Sequence, residues 1–532
     1  MIQRKLTTII LLISGLLIFQ AFTQQTAAQA ASSISIDTQM VVRTTYPQVF
    51  GITNTPDPGW LDAWNKVKNV GVTMVRKDYN IENLVPATTI DNYKANINSI
   101  QSIANWNQSA LGYRAGIYNT AKTAGIQTLV IIDYTPAWLT YGNVAKGVPR
   151  DWDVWEDLVK KSHSYFMDDL DAVEIWNEPN YSKLLVIDGS PYATSAAAYI
   201  DLFKHTYAAV RAVDSSIPIG GPSGFNWSDT NFLRSILADQ FVREHLDFIT
   251  VHSYAHPTTF QYDVTAPTRS VLAEYGLTIP ISVSEWNYIA GGVVDDRHTE
   301  PAGISFIGKS ILDFWRHGII SAHYYVGRPY TAPGEMAFYK WENQIATLLP
   351  PTRALQVVSN SLKMGKGEGE LLSSTVSGES IDGVGLINSD GNPAIFLVND
   401  TSFDQVADIT VTGLAEHQNY QLQYFAGSAA NTGETPYKEE SKTTTDGTLQ
   451  LTATLPPTSV LGILSQESFS AACDADIDQN GLVDLSDHSL LVNLFLKSAS
   501  QGQRADITGD GFVDLSDYSE ITMHFLNACG NS

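Results

Sequence analysis

Cysteine is nearly missing. Only Cys473 and Cys529 occur in 532 residues, both near the C-terminus, so no disulfide framework holds the bulk of the chain. Long apolar runs are equally scarce. One, Leu6 to Phe19, stands near the start and no other approaches its length, which leaves the body of the chain without a membrane-span pattern. Positive charge is short as well: Lys and Arg total 32 against 56 Asp and Glu, the formal net charge is -24, and no long basic run appears. That balance argues against nucleic acid or an anionic membrane as a partner. What is present is globular material, 44% hydrophobic and 10% aromatic, in a chain too long for a single core.

The N-terminus has the pattern of an export signal. Arg4 and Lys5 precede the apolar run, and "AQA" at Ala28 to Ala30 offers a small-residue cleavage site. Residues 1–30 are therefore expected to be removed, leaving a secreted, extracellular protein with no membrane attachment. A retained anchor is the other reading of the same run. In an exported chain the two cysteines are expected to pair as a disulfide rather than to serve as a metal site or redox pair.

From about residue 48 to 360, short apolar runs alternate with amphipathic stretches. The runs are "QVFGIT", "VTMVRKD", "QTLVIIDY", "AVEIWNE", "SIPIGGP", "LDFITVHSY", "IPISVSEW" and "IISAHYYV", with helical patterns such as "DVWEDLVKKSHSYF" and "GISFIGKSILDFW" between them. Eight such units predict a (β/α)8 TIM barrel over residues 45–362. A doubly wound open sheet competes, but no Gly-rich dinucleotide fingerprint follows the first run. After residue 362 the pattern alternates apolar with polar and is cut by Gly, Asn, Asp and Pro. This predicts a β-sandwich over 363–468, to which the alternating segment 31–44 adds a strand.

A barrel of this kind carries its chemistry at the C-terminal ends of its strands. Read in order, those ends supply Arg76 after the second run, Glu178 after the fourth, His252 and Tyr254 after the sixth, and Glu285 after the seventh. In "VEIWNEPNY" an apolar strand ends in Asn177 and Glu178, and Pro179 stops the ladder without needing a donor. The fourth and seventh strands lie across the ring from each other, so their glutamates can face one another. Two facing carboxylates suit glycoside hydrolysis, one protonating the leaving oxygen and one attacking the anomeric carbon. Trp138, Trp176, Trp286, Trp341, Tyr254 and Tyr324 offer ring faces for sugars. Taken singly, each residue has a plainer reading as a salt-bridge partner or core side chain; their joint placement at strand ends favours a site.

These residues also resemble a known group. "WNEPN" with "VSEW" resembles the retaining glycoside hydrolases of clan A, and "GGP", "HSY" and the trailing β-sandwich are most similar to glycoside hydrolase family 39, over about residues 45–465. Families 5, 30 and 51 are the other readings. The resemblance implies Glu178 as acid/base, Glu285 as nucleophile and Asn177 as a donor to the sugar 2-hydroxyl. It also implies that Arg76 and Tyr254 hold the nucleophile ionised, that His252 lines the site, and that no cofactor takes part in catalysis. A xylosidase- or xylanase-like enzyme acting on a plant-type or microbial polysaccharide or oligosaccharide follows. "VRKDY" lacks the histidine expected beyond the arginine, which leaves the sugar open. A non-catalytic carbohydrate-binding or structural barrel is the reading from another class.

A duplication closes the chain. "DIDQNGLVDLSD" and "DITGDGFVDLSD" start at Asp476 and Asp506, each followed by an apolar helical pattern. Asp476, Asp478, Asn480 and Asp487, with the Leu482 carbonyl, have the oxygen-ligand spacing of a calcium loop. Asp506, Thr508, Asp510 and Asp517, with the Phe512 carbonyl, repeat it. No helical pattern leads into the first loop. The unit, residues 473–530, resembles a type I dockerin, which implies two structural calcium sites and a cohesin-bearing scaffold as partner, at the cell surface or in a cellulosome.

Overall fold

The computed structural model describes residues 32–95, 100–224, 229–254, 263–289, 295–328 and 337–467, and in the C-terminal unit 477–478, 483–498, 505–507 and 512–524. The export signal at 1–30 lies outside these. Among the described residues no helix is long and apolar enough to cross a membrane.

The chain begins with a long strand, β1 (Ser32–Thr45), and then enters the barrel. Its eight strands are β2 (Gly51–Thr53), β3 (Met74–Asp78), β4 (Gln127–Ile132), β5 (Ala172–Ile175), β6 (Ile219–Gly224), β7 (Phe248–Ser253), β8 (Ile281–Trp286) and β9 (Ser321–Tyr325). They pair in parallel and in sequence, and β9 closes on β2. Every apolar run singled out in the sequence contributes one strand. Some of the intervening helices start on side-chain caps: Asp151 accepts from Val154 N and Thr194 from Ala197 N, satisfying donors that a helix leaves free. The "GGP" run of β6 has a packing reason. A Cβ on Gly220 would lie 2.2 Å from the Phe248 ring, and one on Gly221 2.2 Å from the Tyr199 hydroxyl.

Beyond the barrel lies a short hairpin, β10 (Tyr339–Glu342) and β11 (Ile345–Leu348). A nine-stranded sheet follows, formed by β12 (Gly369–Ser377), β13 (Ile381–Ile387), β14 (Pro393–Asn399), β15 (Gln405–Thr412), β16 (Asn419–Gly427), β17 (Lys438–Thr443), β18 (Leu449–Leu455), β19 (Ser459–Glu467) and β1. It is one continuous sheet rather than two: β1 bridges its halves, antiparallel to β12 and parallel to β15. The halves close over a shared core in which Ile36, Leu397 and Ile463 meet Ile409 and Leu451. Period-2 burial places Ile34 and Ile36 inward while Ser33 and Ser35 face out.

The barrel and this sheet share apolar packing, centred on the helix Ala302–His317. Trp315 meets Phe396 edge-on at 6.0 Å, and a Cβ on Gly308 would collide with Val460 at 2.6 Å and Val398 at 2.9 Å. Arg316 binds Asp382 through two nitrogens at 2.5 and 2.7 Å, while Lys309 pairs with Asp400. The same helix turns Phe306 and Phe314 toward Trp286 at the tip of β8. The strand-rich domain thus buttresses the strand that carries Glu285.

In the C-terminal unit two helices, Leu485–Leu494 and Leu515–His524, each follow a loop, and short strands β20 (Lys497–Ser498) and β21 (Phe512–Val513) pair between them. Val483, Leu491, Ala505, Val513 and Ile521 form its core.

Candidate active site

Arg76 organises the centre of the barrel mouth. It projects from β3 and is fully buried, and its guanidinium donates to Glu174 Oε2 at 2.6 Å, Glu285 Oε1 at 2.7 Å, and both Asn177 Oδ1 and Ser223 Oγ at 2.9 Å. Tyr254 donates its hydroxyl to the other oxygen of Glu285 at 2.7 Å. His252 touches both glutamates: Nδ1 lies 2.8 Å from Glu178 Oε1 and 3.5 Å from Glu285 Oε2. Carboxylate oxygens of the two glutamates come within 4.8 Å of each other. Both residues are largely buried, at 9% exposure each.

The electrostatics separate the roles. Burial pushes the Glu285 carboxyl up, but His252, Arg76 and the Tyr254 hydroxyl outweigh it and hold the group below the ordinary carboxylate range. Arg76 and the Tyr254 hydroxyl act on this carboxylate whatever the charge on His252. Tyr254, buried and beside Glu285, is pushed well above the usual phenol range, so it keeps its proton and remains a donor. Two carboxylates and an imidazole at this spacing would also suit a divalent cation by ligand type, but the Arg76 guanidinium already occupies the charge-compensating position.

Loss of the Tyr254 hydroxyl by Tyr254→Phe should therefore raise the pKa of Glu285 and move the acid limb of a kcat/KM profile to higher pH. An acid limb identical to wild type contradicts this wiring.

Local backbone explains why "WNEP" ends its strand as it does. The β5 ladder stops at Ile175, before Pro179 is reached, because Trp176 (φ 68°) and Glu178 (φ 49°) both adopt the left-handed region. Such residues cost on the order of 1–3 kcal/mol each and persist where their surroundings fix them. Here Trp176 N binds Ile132 O at 3.1 Å, and Glu178 N binds Ser223 O at 2.9 Å. Trp176 is fully buried, with its indole N–H on Leu184 O at 2.8 Å, so it is a wedge and not a sugar platform.

Other aromatic expectations are corrected. Trp286 packs outward against Phe306, Phe314 and Tyr324 and is 2% exposed; Glu285 faces the barrel centre, and the pleat sends its neighbour to the other side. Tyr324 is buried between Trp286 and Phe338. Neither ring has a face for a sugar. The neighbouring residue does sit toward the site: Tyr325 meets Tyr254 edge-on at 5.9 Å. Trp138 stacks with Tyr93 at 5.7 Å in the loop after β4 and joins none of the contacts of the glutamates. Trp341, on β10, stacks with Trp60 at 4.4 Å and 14°. The pair lines an open groove of about 920 Å³ with Asp57, Asp62, Tyr113 and Gln344, formed by the loop after β2 and the hairpin after β9.

Sequence reading passed over Glu174, Ser223, Tyr134 and Tyr325. A carboxylate in the middle of "AVEIW" was the available signal for Glu174, because a fully buried acid needs a cation. Tyr134 lies 3.4 Å from Asn177 Nδ2; nothing in its local sequence marks it.

With this geometry in view, comparison with known proteins is informative. Residues 135–275 match Glycosyl hydrolases family 39, and residues 474–526 match the Dockerin type I domain. The family 39 segment contains Asn177, Glu178, His252 and Tyr254, whereas Arg76 and Glu285 lie outside it. A beta-xylosidase of Caldicellulosiruptor saccharolyticus is 23% identical over 194 residues, 32% of this chain and 37% of that protein. A beta-xylosidase of Geobacillus stearothermophilus is 31% identical over 135 residues, 23% of this chain and 25% of that protein. The matches thus span about a third and a quarter of these relatives. Among solved structures, a glucosidase from Croceicoccus marinus superposes with a TM-score of 0.60 at 14% identity, covering 84% of this chain and 100% of that one, which is a likeness of fold.

In the segment that matches the dockerin model, Asp487 and Asp517, the last of the expected ligand positions, are both fully buried. Asp487 accepts from Asp478 N and Asp484 N at 2.9 Å, and Asp517 from Asp514 N at 2.9 Å. Buried carboxylates at matching positions of both repeats fit a hard cation. Asp506 and Phe512 are also described; Asp476, Asn480, Leu482, Thr508, Asp510, Cys473 and Cys529 lie outside the described residues.

Proposed function

We propose that this protein is a secreted, retaining β-glycoside hydrolase, xylosidase- or xylanase-like, tethered through its dockerin. The observation that carries the reading is the pair of glutamates with oxygens within 4.8 Å of each other, one of them held below the ordinary carboxylate range by His252, Arg76 and Tyr254. Retaining sites place their two carboxyl groups roughly 5–5.5 Å apart, too close for a water between them. Glu285 attacks the anomeric carbon while Glu178 protonates the departing glycosidic oxygen. Glu178 then takes a proton from the water that releases the sugar from Glu285. Asn177, its Oδ1 engaged by Arg76 and one amide hydrogen directed at Tyr134, has its second amide hydrogen to donate to the 2-hydroxyl. The names of the two curated relatives favour β-xylose. A non-catalytic barrel, the other reading of the sequence, has no need for a buried carboxylate held ionised by two donors. Turnover of aryl β-xylosides in preference to β-glucosides tests the proposal, and binding to xylan without turnover of any aryl glycoside defeats it.

The Trp60–Trp341 pair supports a longer substrate, with rings flanked by Asp57, Tyr113 and Gln344 as hydrogen-bonding groups. Trp341→Ala should raise KM for a xylo-oligosaccharide on the order of tenfold, about 1.4 kcal/mol, and leave a small aryl xyloside unaffected. Equal effects on both substrates would place Trp341 elsewhere in the mechanism.

For the dockerin we propose two calcium sites and a disulfide between Cys473 and Cys529. Leu485 and Leu515, equivalent in the two repeats, are 69% and 72% exposed, which supports docking on a cohesin-bearing scaffold. A chelator added to the full chain should release hydrogen-exchange protection in residues 483–524 while aryl-glycoside activity persists. Protection unchanged in excess chelator rules the calcium sites out.

A further inference from the structure

We propose that Ser223 is a positioning residue that sets the tautomer of His252, and through it decides which oxygen of Glu178 carries the acid's proton. This rests on the assignment of Glu178 as acid/base. The order of donors starts at Arg76, whose guanidinium has only hydrogens to give. Its Nη2 donates to Ser223 Oγ at 2.9 Å. The serine oxygen is thereby an acceptor toward Arg76, and its single hydrogen is left for the ring nitrogen on its other side, His252 Nε2, at 2.8 Å. With that hydrogen directed at it, Nε2 is the unprotonated nitrogen. A proton there would also face Arg76 Nη2, 3.4 Å away, hydrogen against hydrogen and charge against charge. The imidazole therefore carries its proton on Nδ1, which lies 2.8 Å from Glu178 Oε1.

The consequence falls on the acid. With Nδ1–H donating to it in either ionisation state, Oε1 is always an acceptor. The exchangeable proton sits on Oε2, which has no hydrogen bond among the described residues. In the first step the Oε2–H bond breaks as the proton passes to the glycosidic oxygen. In the second, Oε2 takes a proton from the attacking water. The proton never has to change oxygens, so the carboxyl need not rotate between steps.

Ser223 is also tied to Glu178 through the backbone, since its carbonyl accepts from Glu178 N at 2.9 Å and its own N–H donates to Thr250 Oγ1 at 2.7 Å. Its φ of 56° is the left-handed region, where glycine is at ease. Ser223→Gly therefore removes the hydroxyl and relaxes the backbone together, so a loss of function cannot be ascribed to added strain.

The test uses 15N-histidine-labelled full-length protein, with His252 assigned by difference from His252→Gln. Wild type should show a neutral ring protonated at Nδ1 at the pH of maximal activity. In Ser223→Gly the proton should shift wholly or partly to Nε2. Kinetically, kcat/KM for an alkyl β-xyloside should fall about tenfold to a hundredfold, a fraction of what general acid catalysis supplies. A dinitrophenyl xyloside, whose leaving group needs no proton, should lose less than about threefold. A wild-type ring protonated at Nε2, or a variant with unchanged spectrum and leaving-group dependence, overturns the inference in an enzyme that is otherwise active. Wild-type protein that turns over no glycoside instead sinks the acid/base reading, and this inference with it, whatever the tautomer.

Discussion

Glu285→Ala should abolish turnover of every substrate, whereas Glu178→Ala should fail selectively. Without Glu285 no nucleophile faces the anomeric carbon, and Arg76 and Tyr254 point at an empty position. Without Glu178 the nucleophile and both of its donors remain. Substrates whose leaving group needs a proton should lose about 10²- to 10⁴-fold, the usual worth of a general acid. A dinitrophenyl glycoside should still glycosylate Glu285 and then stall, since no base activates water. Azide needs no such base, and should release the sugar as the β-azide from Glu178→Ala alone. Matching behaviour of the two variants, or an α-azide, would mean that the roles are wrongly divided.

Removal of Arg76 should be the most damaging single change to stability. The guanidinium lies between Glu174 and Glu285, both buried, and Arg76→Met leaves two carboxylates without a cation. Breaking one side of a buried ion pair costs about 3–5 kcal/mol. The pH dependence has a definite sign. In wild type the pKa of Glu285 is depressed on folding, so its contribution to stability is present above the unfolded carboxylate pKa, ~4.3, and is lost as pH falls through the lower folded value. In Arg76→Met burial acts on Glu285 without the guanidinium, and its pKa moves up. The folded variant then binds more protons than the unfolded chain, so its deficit should shrink on acidification through the range where the buried carboxylate takes up its proton. Thermal melts of both proteins at neutral and mildly acid pH measure this. A gap that stays constant or widens toward acid would show that Arg76 does not compensate buried charge.

The parts of the fold legible from sequence were those set by local periodicity. Continuous apolar runs mark strands buried on both faces, and all eight lie in the barrel; the alternating segment after residue 362 marked a sheet with one solvated face. What periodicity does not encode is how distant strands pair. Nothing in Ser32–Thr45 says that this segment bridges β12 and β15, which lie hundreds of residues further along the chain, or that one sheet rather than two results. The polar residues that meet at the barrel mouth were legible because strand ends are countable and carboxylates are rare in apolar runs. The aromatic platform was not, because a one-residue difference in pleat phase exchanges Tyr324, which is core, for Tyr325, which is not. Trp286 was misplaced for the same reason. The Arg76–Ser223–His252 connection draws on β3, β6 and β7 at once, and only the closed barrel brings them together.

The central claim is that Glu285 forms a covalent bond to the sugar, and trapping that intermediate tests it most directly. The wild-type protein is incubated with a dinitrophenyl 2-deoxy-2-fluoro-β-xyloside, digested, and its peptides sequenced by mass spectrometry. The account predicts a single fluoroxylosyl adduct, on Glu285. An adduct on Glu178 or any other residue, or none from protein that hydrolyses the parent xyloside, would contradict it.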